Sequence, residues 1–189
     1  MVSVPSGNLG NLTAGLIAKR LGVPIDHFVA ASNANDVFPD YLATGRYTPV
    51  PSVRTLSSAM DVGDPSNLAR IRHLYGDDVD ALRQDVSASA HTDADVRMAI
   101  RDVFERFGYT MDPHTAVGFL ALEKAMTSRR DAVGIVLATA HPVKFAGIVE
   151  PILDLQIEVP PRLADLLARE IIATPIEPTL GALRQVVRG

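Results

Sequence analysis

The run Ser6-Gly7-Asn8-Leu9-Gly10-Asn11 lies between a short β-like stub, Val2-Ser3-Val4, and an apolar helix-like stretch over residues 12–21. Strand, glycine turn and helix start in that order make a cup for an anion. The N–H groups at a helix N-terminus have no intrahelical acceptors, the helix dipole turns its positive end there, and glycine lets the backbone approach a dianion closely. The turn therefore points to a phosphorylated ligand, the alternative being a plain strand-to-helix connection. Its Gly7-x-x-Gly10 spacing is not the G-x-G-x-x-G of dinucleotide folds, and the Gly-Lys-Ser/Thr ending of a P-loop is missing. So short a stub before a phosphate turn also suggests a truncated strand or a piece of something larger, because an open parallel sheet normally offers a full buried strand first.

The second segment of the opening sets the fold class. The helix over 12–21 stops at Gly22 and Pro24, and residues 25–31 (IDHFVAA) read as a buried strand, so the chain opens as β, cup, α, β and predicts a parallel sheet in an α/β protein. Asn33, Asn35 and Asp36 are positioned to cap a short helix to about Leu42, closed by Gly45. Residues 46–65, with Pro49, Pro51, Gly63 and Pro65, read as a long irregular loop of the kind that lines sites. Ser66-Asn67 open a helix to about Tyr75, and Asp77-Asp78 open another to about Ser87.

Thr92 with Asp95 forms an acidic capping box, and Val96, Ala99, Ile100, Val103, Phe104 and Phe107 follow at helical spacing. Asp112-Pro113 supplies an N-cap and a first-turn proline for a helix to about Met126. Residues 132–138 (AVGIVLA) read as a second buried strand ending in Thr139-Ala140-His141-Pro142. Three helices follow, over about 143–149, 160–171 with Leu163, Leu166 and Leu167 on one face, and 179–187. The chain is expected to be one α/β portion over 1–189 with a terminal helical segment from about residue 151.

With 189 residues, 47% apolar and 21% charged, the chain can bury one sizeable core, and a net charge of −4 gives no reason to expect nucleic acid or an anionic membrane as partner. No apolar run reaches the roughly 20 residues of a membrane span, and no cysteine is present for a disulfide or thiolate site, which fits a cytoplasmic location. None of the 5 histidines pairs at metal-ligand spacing, and His114 and His141, each beside a proline, are read as orienting loops.

Thr139 could meet a ring nitrogen of an aromatic cofactor whose phosphate lies in the cup, or could simply cap a helix. The lysines are Lys19, Lys124 and Lys144. Lys19 lies roughly 12 Å along the helix from Asn11 at 1.5 Å per residue, Lys124 falls on an outer helix face, and Lys144 is read as solvated. None offers a convincing Schiff-base amine. Asp36, Asp61, Asp64 and Asp112 are read as partners of backbone N–H groups, and Arg70 and Arg72 as surface pairs with Asp77 or Asp78.

The segments SGNLGNLTAGLIAKRLG at 6–22, NANDVFPDYL at 33–42, SSAMDVGDPSNLARI at 57–71, DPHTAVG at 112–118 and TAHPVKF at 139–145 together resemble the carboxyl-terminal half of threonine synthase. The resemblance implies a pyridoxal-5′-phosphate enzyme of the tryptophan synthase β-like fold (fold type II), a three-layer αβα sandwich with a parallel sheet and with its amino-terminal portion missing from this sequence. It implies conversion of O-phosphohomoserine and water to threonine and phosphate. Ser6, Gly7, Asn8, Leu9, Gly10 and Asn11 would hold the cofactor phosphate, and Thr139 would face the pyridine nitrogen.

Where the family has phenylalanine the cup has Leu9, a change expected to be mild because the cup acts through backbone groups. The family's cofactor-bonding lysine belongs to the missing portion, so this chain is expected to be inactive alone and to need that portion as partner, with a homo-oligomer also compatible. A severed α/β half should expose a sheet edge and apolar faces, and so aggregate or pair. The rival readings are a non-catalytic module that binds the cofactor or phosphate, and a related serine or threonine lyase; residues 61–67 resemble threonine synthase in particular.

Overall fold

A computed structural model describes residues 1–129 and 131–188, apart from the side chain of Leu167. Its centre is β2 (Phe28–Ser32), every residue of which is buried. A strand buried on both faces needs apolar or small side chains on both, and FVAAS supplies them: Phe28 and Ala30 turn to one side, Val29 and Ala31 to the other. Around it the sheet runs β3 (Val86–Ala90), β2, β1 (Val2–Pro5), β4 (Ile135–Val136), with all pairings parallel. Register is set by Val2 opposite Phe28 and by Phe28 opposite Val86.

Helices cover both faces. On the Phe28 face pack α1 (Gly10–Arg20), α2 (Val37–Thr44), α3 (Leu68–Tyr75) and α4 (Val79–Asp85), through Leu12, Leu16, Phe38, Tyr41, Ile71 and Leu82. On the Val29 face lie α5 (Asp93–Phe107), α6 (Pro113–Met126) and α7 (Ala146–Leu153), through Val96, Ile100, Val117 and Ile152. This is the three-layer αβα sandwich with a parallel sheet. The chain divides into two compact units, Met1–Ile157, which holds the sandwich, and a second from Glu158 onward with α8 (Pro161–Leu167) and α9 (Leu180–Arg188). Among the described residues no helix is long and apolar enough to cross a membrane.

Several expectations change. The segment over 25–31 becomes strand only from Phe28, and the helix expected to about Ser87 stops at Asp85, where β3 begins. That strand, VSASA, is missing from the sequence reading because its serines and alanines carry no β-branched run. Its signal was the alternation: Val86 and Ala88 pack on the Phe28 side, whereas the Ser87 hydroxyl meets His27 Nε2 at 3.0 Å.

The strand expected over 132–138 is reduced to Ile135–Val136, and it is half exposed rather than buried, Ile135 being 52% exposed. It is the outermost strand of the sheet, so a single parallel neighbour covers it. The helix expected over 160–171 ends at Leu167, and Ile171 and Ile172 are exposed. The side chain of Leu167, expected beside Leu163 and Leu166, lies outside the described residues.

Close packing of α1 onto the sheet rests on Gly15. A Cβ there would stand 2.6 Å from Phe28 Cε1 and 2.8 Å from its Cζ. Overpacking of a filled core costs about 1–3 kcal/mol, whereas alanine gains about 1 kcal/mol in helix propensity, so the steric cost wins. Gly15→Ala is expected to lower stability by about 1 kcal/mol net, read as a fall in the urea midpoint at constant slope. An unchanged or raised midpoint would show that Phe28 yields.

Candidate phosphate site

Residues 6–12 lead from the carboxyl end of β1 into α1, and their hydrogen bonding divides sharply. Ser6 is spent on the fold: its N–H donates to Ala31 O at 2.8 Å and its hydroxyl to Val4 O at 2.7 Å. Beyond it, the N–H groups of Gly7, Asn8, Leu9, Gly10, Asn11 and Leu12 find no acceptor among the described residues. The first backbone bond of the helix is Thr13 N–H to Leu9 O at 2.9 Å, reinforced by the Thr13 hydroxyl on the same oxygen at 2.8 Å.

The turn closes through Leu9, which is the N-cap residue and sits in the left-handed region at φ 59, ψ 15. Its side chain is 2% exposed and belongs to the core cluster on the Phe28 face. The backbone carries the donors, and the buried apolar side chain of Leu9 anchors that backbone.

Two further anchors come from the loop and helix that follow β2. Asn8 Oδ1 accepts from the Ser66 N–H at 2.7 Å and from its hydroxyl at 3.0 Å, and Asn67 Nδ2 donates to Asn8 O at 2.8 Å. The helix expected from Ser66-Asn67 does open there, with Asn67 as the N-cap residue of α3 and its O accepting from Ile71 N–H at 3.1 Å, but the Ser66 and Asn67 side chains grip the turn instead of capping the helix. The second anchor is steric. A Cβ on Gly7 would fall 2.6 Å from Met60 Cα, so only glycine lets the turn lie against the 3-10 turn Ser58–Met60.

Turn and loop enclose a cavity of about 210 Å³ lined by Pro5, Gly7, Asn8, Leu9, Gly10, Asn11, Ala59, Met60, His114 and Thr139. Ser6, expected among the phosphate ligands, lies outside this lining. Thr139 lies within it, is exposed, and makes no hydrogen bond with a described residue. The capping expected as the alternative role of Thr139 falls to His141, whose Nδ1 accepts from the Val143 N–H at 3.2 Å ahead of the 3-10 turn Pro142–Phe145.

The loop over 46–65 is held by a polar cluster in which Asp61 takes a backbone N–H as expected, whereas Asn33 and Asn35 do not act as the sequence reading had it. Asn33 and Asn35 do not cap α2, whose N-cap residue Asp36 also makes no side-chain cap bond. Instead Asn33 Nδ2 reaches Asp61 Oδ1 at 2.8 Å and Thr55 Oγ1 at 2.7 Å, and Asn35 exchanges bonds with the backbone of Val53. Asp61 Oδ2 accepts from the Thr55 N–H at 3.1 Å. All are buried or half-buried, and together they tie the loop to the carboxyl end of β2.

His114 is the residue whose place in the site the sequence did not give. It is 3% exposed, at the first turn of α6, and reaches the cavity wall. The lysines lie elsewhere: Lys19 Nζ pairs with Asp85 at 2.9 Å and donates to Asp26 O at 2.6 Å, and Lys124 and Lys144 are exposed. Arg72 pairs with Asp77 at 2.6 Å, while Arg70 donates to Asn67 Oδ1 at 3.1 Å. No charged side chain lines the cavity among the described residues. What the site offers is a ring of neutral backbone donors at the positive end of a helix, which suits a phosphate dianion.

A family model described as "Threonine synthase, C-terminal" matches residues 115–187. Threonine synthase of Serratia marcescens is 38% identical over 189 residues, which is 100% of this chain and 43% of that protein. Among solved structures, threonine synthase from Escherichia coli superposes with TM-score 0.86 at 36% identity, over 99% of this chain and 43% of that one. The PLP-bound threonine synthase from Brucella melitensis gives 0.84 at 30% identity, over 99% and 45%. The chain spans less than half the length of these relatives.

Asp112 underlies the His114 corner. Its Oδ1 accepts from the His114 N–H and from His114 Nδ1, both at 2.9 Å, and Thr115 Oγ1 donates to Oδ2. Burial pulls the Asp112 carboxyl upward, but the bonds from His114 and Thr115 outweigh it and hold the group below the usual carboxylate range. A folded-state value below the unfolded one gives stability that is present above the unfolded carboxylate range, near pH 4, and lost as the pH falls through the folded value. Asp112→Asn is accordingly expected to cost about 1.5–3 kcal/mol at pH 7, and the difference from the parent should shrink as urea midpoints are followed down to about pH 3. A difference independent of pH would refute the carboxylate's role.

Proposed function

We propose, for a chain that belongs to the threonine synthase family and matches its carboxyl-terminal portion, that the turn over residues 7–12 seats the phosphate of pyridoxal 5′-phosphate. The observation that carries this reading is the set of unpaired amides beginning at Gly7, of which Gly7 to Asn11 line the same small cavity as Thr139. Amides already free of acceptors and fixed by the turn bind an anion with little reorganisation, and Gly7 gives the close backbone approach such a seat needs. Ser6 ties the start of the seat to the sheet through Ala31 O and Val4 O. Thr139 at the carboxyl end of β4 would face the ring nitrogen, and as a neutral hydroxyl would leave that nitrogen largely unprotonated.

When bound, this cofactor supplies an electron sink for carbanion chemistry next to an amine. In the whole enzyme the reaction would be conversion of O-phosphohomoserine and water to threonine and phosphate. This chain's part would be binding and orientation: the amides fix the phosphate end and Thr139 the ring edge. None of Lys19, Lys124 and Lys144 lines the cavity, so the amine that bonds the cofactor's aldehyde would come from another part of the enzyme. Acting by itself the chain would bind the cofactor without turnover.

The test is calorimetric titration of the chain with pyridoxal 5′-phosphate and with pyridoxal. The phosphate ester is expected to bind at least about tenfold more tightly, because each charge-assisted bond to the dianion contributes on the order of 1.5–3 kcal/mol. Gly7→Ala, which drives a Cβ into Met60, should remove about tenfold or more of that affinity. Equal binding of the two compounds, or a Gly7→Ala variant that binds as the parent does, would overturn the assignment.

A further inference from the structure

The wall of the cavity opposite the phosphate turn is the segment Ser58–Met60, and its position is not set by the turn alone. Ala59 and Met60 line the cavity, Met60 lies so close to Gly7 that no Cβ fits between them, and the Ala59 N–H donates to Nε2 of His114, another lining residue, at 3.2 Å. An imidazole nitrogen that accepts from a backbone N–H carries no proton, so the proton resides on Nδ1, which donates to Asp112 Oδ1 at 2.9 Å. Asp112 is fixed in turn by the first turn of α6 and by Thr115. The ring is also held against Phe145, with centroids 4.8 Å apart at 51°, and Phe145 packs on the Val29-face core.

We infer that His114 is a positioning residue of the phosphate seat: through Nε2 it holds the Ala59 N–H, and so fixes the wall that Gly7 packs against, with Asp112 setting the ring's tautomer. The inference deepens the reading of the cavity as a phosphate seat and rests on it. A wall free to shift by a few tenths of an ångström would relax the Gly7 to Met60 contact and with it the aim of the amides at 7–12. Burial alone does not explain the arrangement, since a histidine serving only as packing needs neither a particular tautomer nor a backbone donor on its far nitrogen.

Two substitutions separate the roles of the ring. In His114→Gln the side-chain oxygen can reach the place of Nε2 and accept from Ala59, whereas in His114→Asn the shorter amide reaches Asp112 and leaves the Ala59 N–H without a partner. Both lose the ring and its packing on Phe145. Affinity for inorganic phosphate and for pyridoxal 5′-phosphate is expected to fall about tenfold in His114→Asn and to stay within about twofold of the parent in His114→Gln. Hydrogen exchange at the Ala59 amide, followed without ligand, should quicken in His114→Asn and stay slow in His114→Gln.

Equal loss in both variants, with Ala59 exchanging alike in both, would mean that the ring only packs and would overturn the inference. Parent-like affinity in both would overturn it as well. Should the parent chain bind neither probe, the phosphate seat itself fails, and the Ala59 exchange rates alone then decide whether His114 holds the wall.

Discussion

Everything in the proposed phosphate site depends on a turn that keeps its N–H groups unpaired while its chain stays fixed. The two demands conflict, because backbone donors usually hold a turn by bonding within it. The fold resolves the conflict at Leu9. A non-glycine residue in the left-handed region costs on the order of 1–2 kcal/mol, whereas full burial of a leucine side chain contributes roughly 1.5–3 kcal/mol. Burial wins or at least balances, so the side chain of Leu9 in the core holds a backbone conformation that Gly10 and Asn11 then present as free amides.

The sandwich explains why the parts meet at one edge. In an all-parallel sheet every strand ends at the same side, and β1, β2 and β4 deliver the phosphate turn, Asn33 and Thr139 there. The two helical layers contribute separately: α1 brings the positive helix end from the Phe28 face, and α6 brings His114 from the Val29 face. The loop between α2 and α3 crosses over the edge, so Ala59 and Met60 touch elements of both layers. Asn33, Asn35, Thr55 and Asp61 explain why so long a loop stays put, since it replaces regular secondary structure with buried polar bonds to the sheet's end.

What could be read from the sequence was whatever rests on local geometry. The Thr92 and Asp95 capping box, the Asp112-Pro113 helix start and the glycine turn each concern residues a few positions apart, and each takes the form its spacing predicts. The losses concern partners far along the chain. Asn33 and Asn35 look like caps beside α2, yet Asp61 competes for them from the loop; the helix start at Asn67 is where the sequence puts it, yet the Ser66 and Asn67 side chains go to Asn8. Strand β3 has Val86 as its one β-branched residue, too little to announce a strand, and its pairing with β2 is long-range information. His114 was legible as a residue that orients a loop, but which loop, and that the loop walls the cavity, is long-range information.

The proposed seat for a dianion, with no charged side chain in its lining among the described residues, places unusual weight on preorganisation. A lysine or arginine attracts phosphate from several ångströms and tolerates some misplacement, whereas a backbone N–H contributes fully only within hydrogen-bond distance and near-linear geometry. A small rotation of the turn would therefore cost several bonds together. That sensitivity accounts for the number of anchors on so few residues: Leu9 into the core, Asn8 to Ser66 and Asn67, Gly7 against Met60, and Met60's own segment to His114. Each anchor uses side-chain atoms, carbonyl oxygens or steric contact, and none consumes an N–H between Gly7 and Leu12. The donors remain free because everything that holds the turn has been built from its other atoms.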